Sequence, residues 1–145
     1  MAGEKKVARI GCKALVSDTD GPTFRYPDAA SPGCWKIYCD ILVREYGEWR
    51  YPPIHRLTVD AYAAQHPGRQ TPQTTQSVIV HLISMYLVLE RGYDFQRATG
   101  AMRGVIEKHK QDFVWLTPPD NRGDITVLDV SKARDLEEHT EMVRQ

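Results

Sequence analysis

The sequence predicts an all-α, single-domain helical bundle of about four to five helices with an irregular N-terminal arm, and three observations carry that expectation. Ser31-Pro32 and Thr71-Pro72 are N-cap and first-turn pairs, each followed by residues recurring at helical spacing. The most apolar stretch, Val78 to Leu89, suits a core helix and is too short for a bilayer of about 30 Å. No segment alternates apolar and polar residues as a half-buried strand does.

The elements follow in chain order. Residues 1–30 hold Gly21-Pro22 and Tyr26-Pro27 with no sustained period, so they read as an arm lying over a helical core of residues 31–145. From Ser31, Trp35, Tyr38, Leu42 and Tyr46 recur at helical spacing until Gly47. Tyr51-Pro52-Pro53 restarts the chain, and a second helix runs from Ile54 to His66 before Pro67-Gly68. The third runs from Thr71-Pro72 to about Arg91, with Gly92 in the C′ position. Asp94 caps a fourth, bearing Phe95, Ala98, Met102, Val105 and His109 on one side and weakened at Gly100 and Gly104. Phe113, Trp115 and Leu116 form an anchor before Pro118-Pro119. Thr126 with Asp129 reads as a capping box for a last helix from Val127, broken near Ser131.

A chain of 145 residues fits one domain with one core. Nineteen basic residues balance nineteen acidic ones, so no net field recruits nucleic acid or an anionic membrane. The first twenty residues lack the apolar run of a signal peptide. Three cysteines, Cys12, Cys34 and Cys39, are an odd number at irregular spacing, which suits free thiols in a reducing cytoplasm.

Three of five histidines lie between residues 55 and 92. Steps of 100° place His55, Val59, Tyr62 and His66 in one stripe about 40° wide, and align Thr74, Ser77, His81, Ser84 and Val88 on the third helix. A short connection makes the two helices antiparallel, with facing positions summing to roughly 138. His66 then meets Thr74, Tyr62 meets Ser77, and His55 meets His81 and Ser84. His55 and His66, about 16 Å apart on a straight helix, cannot share one metal ion.

This geometry makes His55 or His81 a general base, with Tyr62 as a third catalytic group. Ser84, Ser77, Cys34, Trp35 and His66 would line the substrate pocket. The alternative is a core network in which the polar groups satisfy one another. A zinc ion between His55 and His81 needs a third ligand, for which Cys34 and Asp60 are candidates, and no strong metal spacing is present. No metal or other cofactor is therefore expected. Asp60 points about 140° from His55 and should pair with a basic neighbour. His66 ends its helix, where a capping role suits it, and Cys34 has the N-terminal environment that lowers a thiol pKa. His109 and His139, in charge-rich surroundings, read as solvated.

The blocks SPGCW, HRLTVDAYAAQHPG, QSVIVHL, LVLERG, WLTPP and ITVLDV resemble those of an uncharacterised bacterial domain-of-unknown-function family, over about Cys12 to Val143. The resemblance implies a Cys-x-x-Cys-Gly pair and a Gly-Pro-Thr-His segment that together look like a small zinc site. Here Arg9 replaces the first cysteine, Lys13 the glycine and Phe24 the histidine, so that site is expected to be lost. Relatives tend to continue beyond Gln145 with a Trp-rich helix, so a shortened chain or a more open groove is expected there.

The reading that follows is a small cytoplasmic enzyme of lyase, cyclase or hydrolase type, acting on a small molecule by metal-free histidine chemistry. The alternatives are a non-catalytic accessory module, docking a partner or a second copy through an apolar patch near Trp49 and Tyr51, and a metal-binding protein.

Overall fold

The computed structural model describes residues 6–8, 11–17, 19–23 and 29–145. Six α-helices follow a short antiparallel strand pair: α1 is Pro32–Gly47, α2 Pro52–Gln65, α3 Pro72–Leu89, α4 Phe95–His109, α5 Val127–Ser131 and α6 Leu136–Arg144. The all-α class stands. Its last helix is indeed interrupted after Ser131, which raises the count to six among the described residues.

The caps form as their chemistry requires. Ser31 accepts from the Cys34 amide, Thr71 and Thr74 close a capping box, and Asp94 accepts from the Arg97 amide. Thr126 and Asp129 close a second box at α5. Gly100 and Gly104 do not stop α4, which buries Ala98 and Met102.

The arm is not wholly irregular. β1 (Lys6–Ala8) pairs with β2 (Leu15–Ser17), with Val7 opposite Val16. Strands of three residues are too short to leave a readable period. Between them Gly11 (φ +85°) and Lys13 (φ +61°) turn the chain back through left-handed backbone. Val16 is buried against α1, where a Cβ on Gly33 would stand 2.4 Å from the Ser17 carbonyl oxygen. Arg9, Phe24, Tyr26 and Pro27 lie outside the described residues.

The helices pack as a layered bundle, α2 lying between α1 and α3, α4 against α3, and α5 and α6 closing over α1 and α2. Cys34, Tyr38, Ile41 and Glu45 are the buried face of α1, so the expected stripe is rotated: Trp35 is half-buried and Tyr46 is 75% exposed. One core joins Val16, Tyr38, Ile41, Tyr62, Val127 and Val130, and a smaller one joins Tyr51, Ile54 and Leu57 to Met85 and Val88. Each such side chain contributes about 1.5–3 kcal/mol on full burial. Among the described residues, no helix is long and apolar enough to cross a membrane.

Candidate metal centre

The predicted stripe of α2 exists, but it faces α1. His55 bonds Glu45 and Tyr46, Tyr62 stacks on Tyr38 with ring centroids 3.8 Å apart, and Tyr62 and His66 both reach Cys34. The face of α2 turned to α3 carries Arg56 and Asp60 instead. The antiparallel register is close to the expected one, since Asp60 meets His81 and Ser84, and Arg56 meets Ser84. The side chains facing across it differ because α2, sandwiched between two helices, has two buried faces.

His55 and His81 therefore do not converge. His55 Nδ1 donates to Glu45 Oε1 at 2.9 Å, and its Nε2 lies 3.0 Å from the Tyr46 hydroxyl. His81 Nδ1 donates to Asp60 Oδ1 at 2.7 Å. Asp60, fully buried, also accepts from Ser84 Oγ at 2.7 Å and from Arg56 Nε, so its pairing with a basic neighbour holds. Neither imidazole lines either of the two cavities described below. Ser77 is half-buried on α3, and Thr74, expected beside His66, is spent in its capping box.

His139 is a correction of a different kind. It is fully buried, donating from Nε2 to Glu45 Oε2 at 2.8 Å, while Arg44 donates to its Nδ1 at 3.2 Å. A guanidinium can only donate, so Nδ1 is the acceptor and the ring is neutral. Burial pushes the Glu45 carboxyl up, but hydrogen bonds from His139, Thr58 and His55 outweigh it and hold the group below the usual carboxylate range. His109 is exposed, as expected, beside Asp112.

The strongest constellation gathers residues from three segments of the chain. Sγ of Cys12, Sγ of Cys34 and a ring nitrogen of His66 all lie within 4.8 Å of one another. The sulfurs are 3.9 Å apart, and His66 Nε2 is 3.4 Å from Cys34 Sγ. Around a tetrahedral zinc ion, with Zn–S about 2.3 Å and Zn–N about 2.0 Å, the donor separations are about 3.8 Å and 3.5 Å. Both separations that involve Cys34 already match, and the third, between Cys12 and His66, is no more than 4.8 Å.

The three donors are held in different states. His66 Nδ1 donates to the Tyr62 carbonyl at 2.7 Å, which leaves Nε2 facing Cys34 Sγ. Such a backbone acceptor is the usual partner of a metal-bound imidazole. His66 is also the C-cap residue of α2, so its expected helix-end role and its place in the trio coincide. The Cys12 thiol is pulled down to about 4, first by the hydrogen bond from Cys34, then, against burial, by His66 and the Ala14 amide. Cys34 moves the other way, raised by its bond to Cys12, by burial and by the charge on Cys12. The pair thus shares one thiolate.

Local backbone positions Cys12. The turn bearing it is flanked by the two left-handed residues Gly11 and Lys13, and Lys13 Nζ donates to the Asp120 carbonyl at 3.1 Å. Lys13 is the one non-glycine residue with positive φ among those described, a conformation that costs of order 1–3 kcal/mol and concentrates at functional sites. Cys12 also lines an open cleft of about 570 Å³ whose walls include Lys13, Asn121, Arg122 and Asp124 beside Leu15 and Leu128. A second cavity, about 350 Å³ and mainly apolar, lies between α2, α3 and α5, with Tyr62, Val78, Leu82, Leu116 and Ile125 among its walls. Trp35 belongs to the aromatic packing around Tyr38 and Tyr62. An apolar patch at Trp49 and Tyr51, which would favour the accessory module, is only half present, since Trp49 is 85% exposed and Tyr51 is buried.

Residues 7–145 match the profile of a Family of unknown function (DUF5946). The chain belongs to that family. Among curated proteins and among solved structures, no similar chain is found. For this DUF5946 member the chemistry must therefore be argued from the donors themselves. The sequence offers Cys34 as a third donor to His55 and His81, whereas the structure sets it beside His66. The signal that could have found the trio is the concurrence of a thiol at the first turn of α1 with a histidine at the last turn of α2.

Proposed function

We propose that the protein is a metal-dependent enzyme of hydrolase or lyase type, acting on a small polar molecule in the cleft beside Cys12. The observation that carries this reading is the zinc-like spacing of Cys12, Cys34 and His66. It revises the metal-free expectation, because the histidines on which that depended, His55 and His81, go to different carboxylates.

Two soft thiols and an imidazole suit zinc among the common divalent ions. Three protein donors would leave one tetrahedral position open, the pattern of catalytic rather than structural zinc, and one of the three, Cys12, lines the cleft. A zinc ion bound there supplies Lewis acidity and a water acidified to near neutrality. The chain's own groups do the rest. The Tyr62 carbonyl fixes the His66 tautomer, the Ala14 amide steadies the Cys12 sulfur, and Asn121 and Asp124 at the cleft wall offer polar contacts that orient a substrate. Free thiols of this kind persist in a reducing compartment, which supports a cytoplasmic setting.

Cobalt loading tests the proposal. Metal-free protein should bind one Co²⁺ per chain with a thiolate charge-transfer band and the intense visible bands of tetrahedral cobalt. Azide should shift those visible bands by entering the open position. Absence of the charge-transfer band in folded protein overturns the metal reading; a spectrum insensitive to azide overturns the catalytic one.

A second reading rests on Asp60 and His81. A fully buried carboxylate that orients a half-exposed imidazole is the arrangement of a metal-free general base. It would be supported by turnover that survives Cys12→Ser and is lost in His81→Ala.

A further inference from the structure

We infer that Cys12 and Cys34 are a redox pair that a hydroperoxide entering the cleft converts to an intramolecular disulfide. The inference uses the same trio as the metal reading, but the chemistry needs no bound ion.

Three observations on the page support it. The sulfurs stand 3.9 Å apart, so a bond of about 2.0 Å needs an approach of about 2 Å. Cys34 is fixed on α1 and fully buried, whereas Cys12 sits in a turn, lines the cleft and is the sulfur a small oxidant meets first. His66 Nε2 lies 3.4 Å from Cys34 Sγ, within reach of the proton that Cys34 must lose. Cys39, the remaining thiol, has no place in the trio and serves as an internal control.

The steps balance. The thiolate of Cys12 attacks one peroxide oxygen, the O–O bond breaks, and the leaving oxygen departs with a proton as water or an alcohol. Cys12 is then a sulfenic acid. Cys34 gives its proton to His66 Nε2 and attacks the Cys12 sulfur. The S–O bond breaks, and the hydroxyl leaves as water with the proton returned by His66. Two thiols have lost two electrons and two protons, and one peroxide has been reduced. Because the product ties up two of the three donors, the same oxidation would displace a metal ion held by the trio.

The test treats metal-free wild-type protein with one equivalent of hydrogen peroxide, followed by alkylation and peptide mass analysis. The expected product has lost two hydrogens, carries a Cys12–Cys34 cross-link, and leaves Cys39 alkylated. In Cys34→Ser, dimedone should instead trap a sulfenic acid on Cys12. The inference is overturned if wild-type Cys12 remains alkylatable, pairs with Cys39, or accumulates as sulfinic acid without a cross-link. A parallel sample loaded with Zn²⁺ separates the two readings. Release of zinc in step with the cross-link supports both, whereas a cross-link in protein that never binds zinc upholds this inference and removes the metal one.

Discussion

Gly11 lies so close to His66 that a Cβ at residue 11 would stand 2.3 Å from Cδ2 of the imidazole and 2.6 Å from the Ala29 carbonyl oxygen. The left-handed φ of +85° adds strain for any other residue. Gly11→Ala must therefore displace the His66 ring or the turn that bears Cys12, and either movement spoils the donor spacing. The expected outcome is a 10–100-fold loss of zinc affinity, of about the size produced by removing an outer-shell partner. Competition with a chromophoric chelator measures it. Gly47→Ala is the control, since a Cβ there meets nothing within 4 Å.

The shared thiolate predicts a pH signature. Cys12 titrates at about 4 in the fold, far below an unfolded thiol near 8.5. Its contribution to stability is thus complete above the unfolded value and is lost as pH falls towards about 4, with Cys34 working in the opposite direction. Thiolate absorbance at 240 nm in metal-free protein should rise through a midpoint near 4. Cys12→Ser should abolish that acidic transition, and Cys34→Ala should move it upward by removing the principal hydrogen-bond donor.

What the sequence made legible, and what it hid, follows from distance along the chain. The N-caps at Ser31, Thr71 and Asp94 and the box at Thr126 are local chemistry and can be read directly. The α2–α3 register is nearly as local, because a short connection fixes it. Which face of α2 turns to which neighbour is a tertiary choice, and there the stripe of His55, Tyr62 and His66 went to α1. His139 illustrates the limit. Its neighbours in sequence are charged, and only Glu45, 94 residues away, explains its burial. A glutamate in the buried row of α1 was the clue, since an ionised group there demands donors from elsewhere. Cys12 was hidden because nothing local joins an arm residue to the ends of α1 and α2.

Asp60 is the most connected carboxylate between α2 and α3, and its donors are unequal. Arg56 and His81 are partly exposed, while Ser84 is fully buried. Asp60→Ala strands all three and should cost about 3–5 kcal/mol, as does removing one partner of a buried ion pair. His81→Ala leaves Arg56 and Ser84 on the carboxylate and should cost only about 1–2 kcal/mol. Urea denaturation orders the two. An equal loss would mean that His81, and not Arg56, carries the charge balance of Asp60.

Glu45 ties α1 to α2 through Thr58 and His55, and to α6 through His139. His139→Ala removes a buried donor, leaves Arg44 without its ring acceptor and empties the space against Tyr51, whose ring meets the imidazole edge-on at 4.9 Å. A loss of about 3 kcal/mol is expected, against less than about 0.5 kcal/mol for exposed His109→Ala. The carboxyl also sets the acid response. Its folded pKa is depressed, so the stability it gives is complete above the unfolded value of about 4.3 and is lost as pH falls through the lower folded value. Glu45→Gln should therefore be less stable than wild type at pH 7 and converge with it in acid. Denaturation midpoints taken between pH 7 and pH 3 follow that convergence, and curves that stay parallel would show that Glu45 gains nothing from its three donors by being ionised.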